Sequence, residues 1–213
     1  MDKQEKQERS GRSPKLGARG AARRKALLEA AADLFLKQGY ERTSLDQIVE
    51  RAGGSKSTVY NQFGDKAGLF RTVVIELCAE MFAPLSEGLP PAGNPAEVLT
   101  TVAKLFLEML WGDDVQALSR IVYTDGVRNP EISDVFFETG YEEGYRQVAA
   151  YLRQVAPNLS DERSLLLARM FLTMLPGDAY DRLLAATTIQ RTQAEIDSQI
   201  ALSVEWLMWK LEA

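Results

Sequence analysis

The chain has 213 residues, 46% of them hydrophobic, a net charge of −5, no histidine and one cysteine, Cys78. That is enough apolar material for one moderate domain or two small ones. The missing histidine excludes Ser-His-Asp and Cys-His catalysis and any His metal ligand, and the single cysteine excludes an internal disulfide. The charge is unevenly placed. Residues 1–72 hold 15 Lys/Arg against 9 Asp/Glu, and the remainder holds 10 against 21. A basic first third suits a nucleic-acid-contacting module, although a solvated charged tail accounts equally well for residues 1–20 alone. No apolar run approaches membrane-span length, and the polar N-terminus carries no secretory pattern, so a cytoplasmic location is expected.

Residues 1–20 contain little besides charge, Gly, Ser and Pro14, and are expected to be a disordered basic arm. A first helix is predicted from about Ala21, with Leu27, Ala31, Leu34 and Phe35 on one face, ending at Gly39. Thr43 or Ser44 caps a second helix, with Asp46 or Gln47 in position to close a capping box. Leu45, Ile48, Val49 and Ala52 share one face of it. Gly53-Gly54 permits a sharp turn. Ser55 is placed to cap a third short helix, in which Val59 and Phe63 point back to the core while Lys56, Ser57, Thr58, Tyr60 and Asn61 point outward. Asp65 caps a fourth helix, which runs towards Pro84.

Residues 86–95, rich in Gly and Pro, predict a loop. A fifth helix follows from Pro95 to about Trp111, broken by Gly112-Asp113-Asp114. A sixth covers about 114–125, and a seventh runs from Asn129-Pro130 to about Val155. An eighth begins after Ser160 and is kinked or split at Pro176-Gly177. The last runs from about Gln193 to Leu211. No alternation typical of strands is present, so the expected class is all-α with about nine helices: an arm (1–20), a helix-turn-helix head (21–70) and a body (71–213).

Gly53-Gly54-Ser55-Lys56-Ser57-Thr58 lacks both the Gly-Lys-Ser/Thr order and the preceding strand of a phosphate loop. The acidic neighbours Asp113-Asp114 and Glu142-Glu143 do not share a helix face and read as solvated surface. No metal or cofactor site is expected.

The pattern Thr-Ser-x-x-x-Ile-x-x-Arg-Ala-Gly-x-Ser-Lys-x-Thr-x-Tyr-x-x-Phe-x-x-Lys-x-x-Leu-Phe, from Thr43 to Phe70, resembles the DNA-binding signature of the TetR family of transcriptional regulators. Gly54 stands where a small apolar residue is usual, and Asn61 where His or another large residue is common. The resemblance implies a two-fold dimer on double-stranded operator DNA. It assigns Lys56, Tyr60 and Lys66 to phosphates. The N-terminus of the second helix, at Thr43 and Ser44, is a favourable anion site. Ser57, Thr58 and Asn61 are candidates for base edges, Ser55 completes the expected contact set, and Arg12, Lys15 and Arg19 are candidates for a minor-groove arm.

The body resembles the AefR-like branch through Tyr-Thr-Asp-Gly-Val-Arg-Asn-Pro-Glu at 123–131. The family raises the expectation of a small hydrophobic effector, with candidate walls Phe106, Met109, Trp111, Tyr123, Tyr141, Phe171 and Met174. These residues are equally what a plain core would contain. Residues 165–175 are apolar almost all round, and Ile196, Ile200, Val204, Leu207 and Leu211 form a stripe, so both helices are expected to build a homodimer interface together with Leu166 and Met170. The reading is a repressor released by a small hydrophobic ligand. A regulator without a small effector, protein-switched or activating, is the alternative. A helical enzyme or lipid carrier with a vestigial head fits less well with the intact Lys56, Tyr60 and Lys66.

Overall fold

The computed structural model describes residues 17–86, 93–185 and 191–212. Arg12 and Lys15 of the expected arm, and 87–92 of the expected Pro/Gly loop, lie outside them. Among the described residues the structure is helical throughout, with no strand.

Helix α1 (Ala18–Gln38) begins three residues earlier than the sequence suggests, so Arg19 belongs to a helix. It stops at Gly39, where φ of 88° lets the backbone turn and its N–H donate to the Phe35 carbonyl at 2.9 Å. Helix α2 (Leu45–Ala52) carries the full capping box of Ser44 and Gln47. Gly53, at φ 66°, makes the turn into α3 (Lys56–Phe63), and Gly64, at φ 85°, ends it. The Gly68 N–H donates to Asp65 Oδ1 at 2.7 Å, as expected of a cap, at the start of α4 (Lys66–Ser86).

In the body, Asn94 Oδ1 accepts from the Ala96 N–H and Pro95 opens α5 (Pro95–Leu110). Helix α6 (Asp113–Asp125) follows the Gly112 break. The expected long seventh helix is continuous but not uniform. Helix α7 (Pro130–Phe136) passes into a π-turn (Phe137–Tyr141) and on into α8 (Glu142–Val155). Ser160 caps α9 (Asp161–Met174). The break at Pro176-Gly177 splits off α10 (Ala179–Leu184), and α11 (Gln193–Glu212) closes the described chain.

Two apolar clusters hold these helices together. One joins α5, α8, α9 and α11. The other starts in the head, with Leu27, Phe35, Ile48, Val59 and Phe70, and continues without a break into Leu118 and Val122 of α6 and Ile132 and Phe136 of α7. The head is therefore seated on the base of the body through a shared core. Tyr40 stacks on Phe35 at 5.7 Å and meets Phe70 edge-on at 5.1 Å at this seat.

One expectation is corrected here. Ile200, Val204 and Leu207 are 2%, 5% and 0% exposed, so that face of α11 lines its own core, and Ile196 and Leu211 pack against the same cluster. The face of α11 left open carries Leu202 and Trp209, and Leu166 and Met170 of α9 are exposed beside it. Among the described residues no helix is long and apolar enough to cross a membrane, and no group of three or more Cys, Asp or Glu is placed to hold a metal ion.

Candidate nucleic-acid interface and effector cavity

The two helices of the turn are held from inside by Ile48 and Val59, both fully buried. Helical spacing then fixes what the outer face of α3 presents. Tyr60 is 53% exposed, and Asn61, Ser57 and Lys56 are also exposed. Lys56, Ser57, Tyr60 and Asn61 thus come together on one open face, with Thr58 half-buried at its edge. Ser55 does not cap α3: its hydroxyl bonds instead to Ser57 Oγ at 2.7 Å and Thr58 Oγ1 at 3.1 Å. These three hydroxyls form one cluster at the helix start.

Thr43 departs from its expected place as a surface contact. Its side chain is buried, donating to the Gly39 carbonyl at 2.7 Å and accepting from Gln38 Nε2 at 3.1 Å. It fastens the end of α1 to the start of α2. Ser44 remains exposed, but its hydroxyl and backbone N–H are engaged with Gln47. Lys66 lies over the Tyr40 ring, Nζ 4.2 Å from its centroid, and 3.5 Å from the Glu41 carbonyl. Burial there lowers its pKa, opposed by the nearby carboxylates of Glu41 and Asp125.

Three features escape a reading of sequence alone. Lys56 Nζ pairs with Asp46 Oδ1 of α2 at 2.8 Å, and that hydrogen bond raises the Lys56 pKa. Arg23 of α1 donates to the Ala52 carbonyl at 3.1 Å and lies against Gly53 and Gly54, covering the turn. Asp125, at the end of α6, accepts from the N–H groups of Tyr40 (2.8 Å) and Glu41 (3.2 Å), while Asn129 Nδ2 donates to Glu41 Oε1 at 2.6 Å. The last set ties the loop between α1 and α2 to the body. Its only sequence signal is the polar Asp125 to Asn129 stretch between apolar helices.

Two sizeable cavities lie among the described residues of the body. One, of about 570 Å³, lies between α4, α5 and the start of α6, with Leu105, Phe106 and Met109 on its floor and Glu80, Glu108, Asp113 and Asp114 around it. The other, of about 370 Å³, is lined from α5, α6, the π-turn, α8, α9 and α10. Phe106, Tyr123 and Tyr141 of the expected walls meet in this second cavity, joined by Tyr145, Tyr180 and Asp181, which were not among the expected walls. Trp111 stands behind it, stacked on Tyr180 with ring centroids 5.9 Å apart. Phe171 is fully buried in the core, and neither it nor Met174 lines either cavity. Burial raises the pKa of Tyr123, Tyr141, Tyr145 and Tyr180, so all four are neutral phenols at pH 7.

Comparison with known proteins agrees with this geometry. The family described as "Bacterial regulatory proteins, tetR family" matches residues 27–73, and that described as "AefR-like transcriptional repressor, C-terminal domain" matches residues 97–209. Among curated proteins, the transcriptional activator FasR of Mycolicibacterium smegmatis is 27% identical over 111 residues, covering 52% of this chain and 50% of FasR. A DNA-binding transcriptional repressor of Mycobacteroides abscessus is 37% identical over 114 residues, covering 54% of this chain and 55% of that protein. The chain thus spans about half the length of these relatives. Among solved structures, a TetR-family regulator from Mesorhizobium loti superposes with a TM-score of 0.79 at 24% identity, covering 91% of this chain and 98% of its own. The flavonoid-responsive regulator FrrA does so at 0.73 and 26% identity, covering 89% and 97%.

Proposed function

The chain belongs to the TetR family of bacterial regulatory proteins, a family of DNA-binding regulators and not of enzymes, and on that premise we propose that it is a homodimeric transcriptional repressor released from double-stranded operator DNA by a small, largely apolar effector. The observation that carries the DNA-binding part is the open face of α3, where Lys56, Tyr60 and Asn61 stand over a turn packed on Ile48 and Val59. Lys56, Tyr60 and Lys66 contact phosphates in this reading, and Asn61, Ser57 and Thr58 contact base edges. It acts in the cytoplasm, where its operator lies.

The effector part rests on the 370 Å³ cavity and on FrrA, whose name records a response to flavonoids. Tyr123 lines the cavity two residues before Asp125, which holds the α1–α2 loop. A ligand that prefers a different position of α6 would therefore bias the head, and operator affinity would fall by the ligand's differential affinity for the two states. The activator FasR supports the alternative direction of control.

The test is fluorescence anisotropy with the DNA upstream of the protein's own gene, across a salt series. Binding should weaken with log[salt] at a slope of about −0.9 per phosphate neutralised. A salt-independent affinity rejects the DNA-binding assignment. A promoter-reporter assay then separates repression from activation.

A further inference from the structure

Resting on the effector reading above, we infer that the tyrosine-lined cavity takes a flat aromatic molecule bearing a hydrogen-bond donor and discriminates against the corresponding aromatic carboxylate. Among the described residues three charged side chains line the cavity: Glu142, Arg169 and Asp181. Arg169 is already engaged twice, with Nη2 2.7 Å from Glu142 Oε1 and its guanidinium 5.3 Å from the centre of the Tyr145 ring. Asp181 has no ion-pair partner among the described residues. Two other cations stand against lining residues without lining the cavity themselves: Arg191 donates to the Pro176 carbonyl at 3.2 Å, and Arg120, bonded to Gln116, acts on Tyr180. An incoming carboxylate would have to displace Glu142 from Arg169 and then share the cavity with two carboxylates. A phenol O–H or an ammonium meets an acceptor in Asp181.

Shape supplies the rest of the class. Phe106, Phe137, Tyr141 and Tyr145 present rings to the space, and the Trp111–Tyr180 stack stiffens one wall. Rings on several sides favour a flat ring between them. Tyr180 is held by Ser119, the two hydroxyls 2.5 Å apart, so its ring orientation is set before any ligand arrives. A narrow apolar void of about 20 Å³ shares Phe106, Leu110, Tyr141, Tyr145 and Leu172 with the cavity; it is too small for a ring, so these residues offer the ligand an apolar wall there. The larger cavity lacks this arrangement: among the described residues Phe106 is its one aromatic ring, and four carboxylates surround it.

The test holds the ring constant and changes one group. Titration calorimetry on the full-length protein would compare 2-naphthol, (2-naphthyl)methylammonium, 2-naphthoate and 2-methylnaphthalene, each also added to the protein–operator complex. Asp181 is exposed and stays hydrated when unpaired, so the two donor-bearing probes should bind about three- to tenfold tighter than 2-methylnaphthalene, the net gain of one hydrogen bond. 2-Naphthoate should bind weakest. Asp181→Asn should remove most of the ammonium's advantage over the hydrocarbon. Tightest binding by 2-naphthoate, an unchanged ammonium preference in Asp181→Asn, or binding by none of the four overturns the assignment. Donor-selective binding that leaves operator affinity untouched upholds the ligand class and rejects the effector reading beneath it.

Discussion

Lys56 is committed twice. In the free protein it pairs with Asp46, and on DNA it is assigned to a phosphate. Both partners are largely exposed, so the pair adds little to folding stability. Near a phosphate backbone, however, the Asp46 carboxylate opposes binding by repulsion and by holding the ammonium that should neutralise a phosphate. Asp46→Asn should therefore tighten binding to all DNA sequences alike. Lys56→Ala should weaken it alike and flatten the salt slope by about 0.9. Asn61→Ala, in contrast, should relax preference at one or two base pairs, at a cost of about 1–3 kcal/mol. Competition anisotropy with operator variants and random DNA separates the two behaviours. The exposed face was legible in the sequence because burying Val59 and Phe63 at helical spacing forces Lys56, Tyr60 and Asn61 outward. The Asp46 partnership was not, because it spans a turn and depends on how α2 and α3 cross. Thr43 misled for a related reason: a threonine before a helix serves equally as cap, surface contact or buried fastener, and only the position of the Gly39 carbonyl decides.

Local chemistry fixed most element ends. Ser44 with Gln47, Asn94 with Pro95, and Ser160 with Arg163 each satisfy a helix start with a side chain of the expected kind. Ser44→Ala should cost about 1 kcal/mol of stability, read from a urea denaturation curve with unchanged slope. Gly68 is more demanding. A methyl group there would run into the Phe63 carbonyl, so α3 and α4 approach as they do because position 68 has no side chain. Gly68→Ala should lower stability by about 1–3 kcal/mol and shift α3, reducing operator binding more than stability alone explains. The π-turn left no sequence mark beyond Gly140, and it brings Phe137 and Tyr141 to the cavity wall. Spacing puts the α11 stripe on one apolar face, yet it cannot say whether that face meets its own body or a second subunit. The all-helical class needs only local patterns, whereas the cavity walls come from six elements, and no single periodicity carries that information.

At the scale of the molecule, the basic head and the acidic body share a continuous core, and polar contacts from Asp125 and Asn129 reinforce the seat. A head seated this firmly moves with its body, so the spacing of two heads is set by how two bodies meet. Recognition helices in a dimer must enter successive major grooves roughly 34–36 Å apart. For the proposed dimer, we assign that meeting to the open face of α9 and α11. Leu166, Met170, Leu202 and Trp209 are 54%, 42%, 64% and 58% exposed, more apolar surface than two adjacent helices of a monomer ordinarily leave to water. Two substitutions on α11 distinguish this face from the buried one. Leu207→Ala removes a fully buried side chain and should cost about 2–5 kcal/mol while leaving the dimer intact, because Leu207 faces its own core. Leu202→Glu combined with Trp209→Glu replaces two exposed residues and should leave folding intact, but it places charge at the proposed two-fold contact. Sedimentation velocity at micromolar concentration should find that variant monomeric and the Leu207→Ala protein dimeric. The monomer should retain weak, salt-sensitive DNA binding through one head and lose the tight operator complex that needs two. A double variant that remains dimeric moves the interface elsewhere, and a wild-type protein that sediments as a monomer removes the geometric basis for paired half-sites.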